Sequence, residues 1–220
     1  MRDELGFSII ELMVGIALAL LIAAAATLLL SSSVSENRRL LLEARLTQDL
    51  RSAADLVIRQ TRRAGYWGTA STLGLWSASA NAIPNPYAAL TPDTSASDTI
   101  ALRYSQDTLE NNAVDDNEQV GFRLRNGALE AQLGDRNWQA LTDSSTLIVT
   151  RFEIQPHVQS VALESACQCV ATATCAAPQV QVRSVDIEIS GRAAGDASVL
   201  RTVRSTARLR NDNVSGGCNA

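Results

Sequence analysis

The sequence has few of the residues and motifs that enzymes use. It contains a single histidine, His157, which follows Pro156 in a stretch that reads as an exposed loop. It lacks a G-x-S-x-G motif, a glycine-rich nucleotide loop and a recognisable Ser/His/Asp set. We therefore expect no catalytic residues, no cofactor and no enzymatic activity.

A clustered basic patch is also missing. The chain has 220 residues, a net charge of -4 and a sequence pI near 5.1. General nucleic-acid binding requires a concentrated positive surface. The composition therefore disfavours that function, although it does not exclude a short local patch.

Two further absences mark the first part of the chain. No proline occurs before Pro84, and no charged residue occurs from Leu12 to Ser35. At about 1.5 Å per residue, this uncharged run spans roughly 36 Å as a helix, against a hydrocarbon core of about 30 Å. It therefore predicts a transmembrane helix. A cleaved secretory signal is the alternative, but it would need a basic start and a shorter apolar core.

Glu11 lies at the edge of the apolar run. A carboxylate at mid-bilayer costs about 2.5–3.5 kcal/mol, whereas one near the edge can reach the interface. Glu11 therefore either marks the start of the span or meets a positive partner when helices pack together. Composition alone does not decide between these roles.

The residues Gly6-Phe7-Ser8-Ile9-Ile10-Glu11 resemble the class III signal of type IV pilins and pseudopilins. The resemblance implies that a prepilin peptidase cuts after Gly6 and that the new terminal residue, Phe7, is N-methylated. It also implies that Glu11 neutralises the terminal amine of a neighbouring subunit in the filament. The leader departs from the family pattern because acids follow Arg2. The arginines after the span also weakly favour the reverse orientation under the positive-inside rule. The motif takes precedence over that count, because the implied cleavage site requires the leader to lie in the cytoplasm.

Glu36 to Ala64 predicts a continuation of the helix. Apolar residues recur at spacings of three and four along one face, namely Leu42, Leu46, Leu50, Ala53 and Val57. Arg39 and Glu43 are four residues apart and can pair on the wet face. Gly65 is a typical C-terminal stop.

A loop region and then antiparallel strands are predicted beyond the helix. Thr69 to Ser97 is rich in Ser, Ala, Asn and Pro and predicts no regular element. Val120 to Leu133 predicts a hairpin with a type I′ turn at Asn126-Gly127, which places Arg123 opposite Glu130. Further strands are predicted at Thr99–Tyr104, Thr146–Ile154, Val180–Ile189 and Leu200–Arg210.

The last predicted strand carries arginines on one face, at Arg204, Arg208 and Arg210. Such a row could bind an anion or DNA. Pairing with acids such as Asp186 and Glu188 is the favoured interpretation.

Four segments resemble those of PilW-type minor pilins. They are Ala64-Gly65-Tyr66-Trp67-Gly68, Ser97-Asp98-Thr99-Ile100, Trp138-Gln139-Ala140-Leu141 and Arg208-Leu209-Arg210-Asn211. In the first, we expect Tyr66 and Trp67 to bury apolar area where the helix meets a sheet.

The order of elements predicts an α+β, type IV pilin-like fold, in which one long N-terminal helix packs against an antiparallel β-sheet. The expected divisions are a prepilin leader at 1–6, a transmembrane and filament-core helix at 7–35, an amphipathic half of the helix at 36–65, and a periplasmic, β-rich head domain at 66–220.

The resemblance places the head outside the inner membrane, where disulfides persist. The disulfide candidates are Cys167, Cys169, Cys175 and Cys218. The first two are too close to favour bridging each other, and the sequence leaves the pairing open. A zinc site would need paired C-x-x-C spacing or histidine ligands. Asp115 to Glu118 lacks the ligand order of a calcium loop, so we expect a solvated loop there and no metal site.

The resemblance implies a minor pilin that helps to prime assembly of type IV pili and is incorporated into them, with a place at the tip. The implied partners are the prepilin peptidase, other minor pilins, the major pilin and the inner-membrane assembly platform. The precursor would cross the inner membrane once, and the assembled pilus would lie at the cell surface. The alternatives are a GspJ-like minor pseudopilin of type II secretion and a DNA- or surface-binding module for uptake or adhesion.

Overall fold

The computed structural model describes residues 8–74, 83–134, 137–163 and 178–215. The predicted cleavage residues Gly6 and Phe7 and all four cysteines lie outside these ranges. The chain divides into two units, Met1–Ala44 and Arg45–Ala220.

Helix α1 covers Ile9–Arg63. An uncharged, proline-free sequence explains its first part, and the amphipathic stripe explains its second. In the second unit it buries one face, made of Leu46, Leu50, Ala53, Ala54, Val57 and Thr61. The predicted stripe is therefore confirmed, with Leu42 half-buried at its start. The predicted Arg39–Glu43 ion pair is present at 3.3 Å.

The segment after α1 contains short elements that the sequence does not predict. Helix α2 covers Ala70–Leu73, and strand β1 covers Leu90–Thr91. The expectation that Thr69 to Ser97 lacks regular structure is therefore wrong at these two places. Both elements are too short to produce a periodic pattern of their own.

The first sheet is fully antiparallel, and its strand order follows the chain from β1 to β5. A short 3₁₀ turn, Asp116–Glu118, precedes its third strand. The strands after β1 are β2 Thr99–Arg103, β3 Gln119–Arg125, β4 Ala128–Leu133 and β5 Trp138–Ala140.

The hairpin of β3 and β4 has the predicted register. Leu124 pairs with Leu129, Arg123 with Glu130, and Val120 with Leu133. Asn126 and Gly127 have φ values of 51° and 75°, as a type I′ turn requires. The Arg123–Glu130 ion pair closes at 2.7 Å on one face of the hairpin.

The second sheet has strand order β6-β7-β8, and β9 also pairs with β7. These strands are β6 Leu147–Ala162, β7 Gln179–Ala193, β8 Leu200–Arg208 and β9 Asn213–Ser215. Strands β6 and β7 extend well beyond the ends that the sequence predicts. His157 consequently lies in β6, opposite Ser184, and not in a loop. Pro156 is compatible with this position because β6 ends the sheet on its side.

The core lies where the second half of α1 packs on the sheets. It includes Leu50, Val57, Ile100, Phe122, Leu129, Ile154, Ile187 and Ile189, all of which are buried. Gly191 of β7 allows the close approach: a Cβ there would lie 2.5 Å from Leu147 Cδ1 and 3.3 Å from Leu50 Cδ2. The α+β fold of one long helix on antiparallel strands is thus confirmed.

Candidate functional site

Glu11 lies in the first turn of α1, where its carboxylate meets the helix N-terminus. The Ser8 N–H donates to Glu11 Oε2 at 3.2 Å. Helix N-termini leave backbone N–H groups without intrahelical partners and favour negative charge. A local contact therefore positions Glu11, and its side chain is exposed. The predicted role of Glu11 toward a neighbouring amine stays a prediction.

The apolar side chains that follow Glu11 are exposed on every side of the helix. Leu12 is 59% exposed, Leu21 67% and Leu29 72%. The most apolar 18-residue window of α1 has a mean hydropathy of 2.6, and none of it is buried. The helix is therefore long and apolar enough to cross a membrane, a property that signal sequences share. Apolar area of this extent marks a membrane or protein interaction surface.

The two segments that resemble PilW-type pilins at the helix exit and at residues 208–211 contact each other. The Arg210 N–H donates to the Arg62 carbonyl at 3.1 Å. The Asn211 side-chain amide donates to the carbonyls of Arg63 and Ala64, at 3.3 and 3.1 Å. These donors satisfy carbonyls at the end of α1 that have no partner within the helix. The closing segment therefore caps the helix on which the head is built.

The exit segment is also fixed to the first sheet. The Gly65 N–H donates to the Arg103 carbonyl at 2.8 Å, and the Ser105 N–H donates to the Tyr66 carbonyl at 2.9 Å. Gly65 has a φ of 76°, which L side chains rarely adopt. The predicted glycine stop is therefore required by the backbone.

Tyr66 and Trp67 have different environments. Trp67 is buried, and its indole N–H donates to Asn112 Oδ1 at 2.9 Å. Tyr66 is 50% exposed, so the expectation that it is buried is wrong. Neighbouring side chains of a non-helical segment point to opposite sides, so the two rings cannot enter the same core.

Arg183 is a buried cation that the sequence reasoning did not identify. Only 6% of it is exposed, and its guanidinium donates to the carbonyl oxygens of Ala88 and Asn211. Burial lowers its pKa. One signal could have found it, since Arg183 shares the odd-numbered face of β7 with the buried Val185, Ile187 and Ile189.

A polar cluster lies between the exit segment and β3. The Tyr87 hydroxyl is 2.9 Å from Glu110 Oε1 and 3.3 Å from Glu118 Oε1. Glu110 Oε2 accepts the Gly68 N–H at 3.0 Å. Burial, together with these two acids, raises the pKa of the Tyr87 hydroxyl, which keeps it a hydrogen-bond donor.

Glu118 contradicts the expectation of a solvated loop at Asp115 to Glu118. It is fully buried, and its carboxylate accepts the N–H groups of Gln106 and Asp115, both at 2.9 Å. Backbone donors replace the water that it loses on burial. Across the described residues, no group of three or more His, Cys, Asp or Glu side chains could hold a metal ion.

Two arginines of β8, Arg204 and Arg208, belong to ion pairs. Arg204 contacts Glu188 at 2.7 Å, as predicted, and Arg208 contacts Asp212 at 3.3 Å. His157 lies 2.9 Å from Asp186. The hydrogen bond from Arg204 lowers the pKa of Glu188, and those from Thr206 and then His157 lower the pKa of Asp186. This sheet face therefore carries paired charges and not an uncompensated basic patch.

Comparison with known families gave two matches. A family model described as Prepilin peptidase-dependent protein B matches residues 39–209. A second, described as Prokaryotic N-terminal methylation motif, matches residues 1–27. No curated protein and no solved structure gave a match. The first match covers most of the chain, and the second includes the predicted cleavage site, Phe7 and Glu11.

Proposed function

Because the chain belongs to the family of prepilin peptidase-dependent protein B, we propose that it is a minor pilin of a type IV pilus. In this proposal the precursor is cut after Gly6, methylated on Phe7 and moved from the inner membrane into the filament. It helps to prime assembly together with other minor pilins and lies at the pilus tip. It acts as a structural subunit and not as an enzyme.

The exposed apolar helix is the observation that carries the proposal. Its first part is uncharged from Leu12 to Ser35 and is exposed along that whole length. Such a surface needs either lipid or other apolar helices around it. A subunit that moves from a bilayer into a helical filament core meets both environments in turn. In this proposal Glu11, at the edge of this surface, meets the terminal amine of a neighbour.

The PilW-type assignment is the finer part of the proposal. It rests on the exit segment and the closing segment, and Asn211 of the closing segment contacts Arg63 and Ala64 at the exit. A GspJ-like pseudopilin would share the methylation motif and the helix, so a genetic test must separate the two. The ion pairs of Arg204 with Glu188 and of Arg208 with Asp212 favour the pilin role over the DNA-binding alternative.

Mass spectrometry of the protein isolated from sheared surface fibres tests the proposal. We expect a chain that begins at Phe7 and carries one N-terminal methyl group. A chain that keeps its first six residues, or that is missing from the fibres and their assembly complexes, would overturn it.

Substitution Glu11→Ala tests the assembly contact. We expect normal cleavage after Gly6, but an incorporation into fibres that is at least about tenfold lower, because the buried amine of a neighbour loses its partner. Quantitative immunoblots of the sheared fraction and of total cell protein measure the ratio. Glu36→Ala is the control, since Glu36 is exposed and lies beyond the apolar run. Equal incorporation of the Glu11 variant and the parent would contradict the role.

A further inference from the structure

Strand β8 forms the free edge of the second sheet. It pairs with β7 on one side, and within residues 8–74, 83–134, 137–163 and 178–215 no strand pairs with its other side. The strand has nine residues. An edge of this length presents a row of unpaired backbone N–H and C=O groups to a partner.

Two hydrogen bonds determine which backbone groups face the free edge. The Ala193 N–H donates to the Val199 carbonyl, and the Leu209 N–H donates to the Arg183 carbonyl, both at 3.0 Å. In an antiparallel ladder, hydrogen-bonded pairs alternate with pairs whose backbone groups point away from each other. The backbone N–H and C=O groups of the odd-numbered residues of β8 therefore form hydrogen bonds with β7. The backbone groups of Thr202, Arg204 and Thr206 point outward.

The side chains of these residues define the chemistry of the edge. Arg204 and Arg208 lie on the exposed face, and their side chains are 75% and 65% exposed. The neighbouring strand β7 presents Asp186 and Glu188 on the same face, opposite Thr206 and Arg204. On this face, acidic side chains of β7 therefore lie beside arginine side chains of β8. A further strand continues this order only if its residues opposite the arginines are acidic.

Open space borders β8 on the side of α1. A groove of about 430 Å³ lies between β8 and α1, lined by Arg51, Ala54, Asp55, Thr202 and Val203 among others. An added strand would find room there for its side chains, with small ones favoured next to Ala54 and Val203. A separate groove of about 560 Å³ crosses the exposed face of β6, β7 and β8, and is lined by Glu153, Asp186, Glu188, Arg204 and Thr206 among others.

We propose that the free edge of β8 binds, by strand addition, an extended segment of another protein with acidic residues at alternate positions. Main-chain hydrogen bonds to Thr202, Arg204 and Thr206 supply affinity. Arg204 and Arg208 each contact one acid within the chain, Glu188 and Asp212, and their exposed guanidinium groups select an acidic partner on the open side. Pairing of β8 with a second copy of itself would not supply the acidic complement, because β8 contains no acidic residue. The inference depends on the geometry of β8 alone and holds whether or not the chain joins a filament.

Arginines on an edge strand also have an opposite use, in which charge prevents pairing with other strands. The two roles make different predictions for an acidic strand. If the arginines prevent pairing, β8 binds no strand of any charge. If they recognise a partner, β8 binds a strand of complementary charge.

Peptide binding to the full chain in detergent separates these roles. The probe is a fluorescent nonapeptide of alternating threonine and glutamate, and the matched peptide has lysine in place of glutamate. We expect the acidic peptide to bind at least about tenfold more tightly, a difference of about 1.4 kcal/mol. We also expect Arg204→Glu to weaken its binding about tenfold, because one attractive cross-strand pair becomes repulsive. Arg125→Glu is the matched control, since it makes the same charge change on the exposed end of β3.

Amide hydrogen exchange shows whether the bound peptide forms a strand. We expect the peptide to slow exchange at Thr202, Arg204 and Thr206 and to leave Val203 and Ser205 unchanged. Three results would overturn the proposal: no binding up to about 1 mM, which is weaker than about -4 kcal/mol; equal loss of binding in Arg204→Glu and Arg125→Glu; or binding that leaves the outward amides unprotected.

Discussion

Glu110 connects the loop before β3 to the exit of α1 through a small set of hydrogen bonds. Burial raises the pKa of its carboxyl group, but hydrogen bonds from Ser105, Tyr87 and the N–H groups of Gly68 and Asn112 outweigh burial and lower it. A lowered folded-state pKa gives stability that is present above the unfolded value of about 4.3 and is lost as the pH falls through the folded value.

We therefore predict that Glu110→Gln lowers the free energy of unfolding by about 1 kcal/mol at pH 7. This value lies below the range of about 1.5–3 kcal/mol that is usual for charged hydrogen bonds, because Glu110 is partly open to water. The difference from the parent should shrink as the pH falls below the unfolded value of about 4.3 and through the lowered folded pKa of Glu110. Urea unfolding of the full chain in detergent, monitored by tryptophan fluorescence, measures the free energy of unfolding of the variant and the parent. Glu36→Gln is the control, and a difference that does not depend on pH would contradict the assignment.

Buried charges are the residues that sequence reasoning placed least well. Glu118 lies in an acidic, polar run that reads as solvated, yet it is fully buried. Its partners include Gln106, which is twelve residues away, and Tyr87, which is thirty-one residues away. Only the folded chain brings these donors together. Arg183 differs, because the alternation of β7 alone already assigns it to the apolar face.

At the scale of elements, the exit of α1 depends on a glycine with positive φ. We predict that Gly65→Ala lowers the free energy of unfolding by at least about 1 kcal/mol, because the left-handed backbone disfavours a side chain. The added Cβ would also lie 3.0 Å from Arg183 Nη2. The same urea experiment measures the loss.

Gly195→Ala is the matched control for Gly65→Ala. Gly195 has no atom within 4 Å of an added Cβ, and its φ lies outside the left-handed region. We expect its substitution to leave stability within about 0.5 kcal/mol of the parent. Equal effects of the two substitutions would show that the exit does not depend on the glycine conformation.

Elements were predictable where local chemistry decides them. The hairpin of β3 and β4 follows from Asn126-Gly127 and from the alternation around it, so its register could be read pair by pair. The end of β6 could not be read, because residues 157–162 are exposed and carry no burial pattern. Ladder pairing with β7, and not burial, extends β6 there. The sequence did not predict β1, because two residues are too few to show an alternating pattern of apolar and polar side chains.

At the scale of the whole molecule, the two units depend on different surroundings. The head in Arg45–Ala220 has its own buried core, whereas the uncharged part of α1 buries nothing within the chain. The pilin-like nature of the chain could be predicted from residues 6–35, since a short signal followed by an uncharged helix is a local pattern. The partner strand or helix that covers an exposed surface leaves no comparable trace in one sequence.

Assembly in a pilus and assembly in a secretion system make opposite predictions for the whole protein. Both use an apolar helix and a methylated terminus, so these features cannot separate them. The contact of Asn211 with the helix exit joins two segments that resemble PilW-type pilins. We therefore predict that deletion of this chain reduces surface pili and twitching motility and leaves exoprotein secretion intact. Complementation with the parent chain should restore piliation, and complementation with Glu11→Ala should not. Normal twitching together with lost secretion would assign the chain to a type II secretion system.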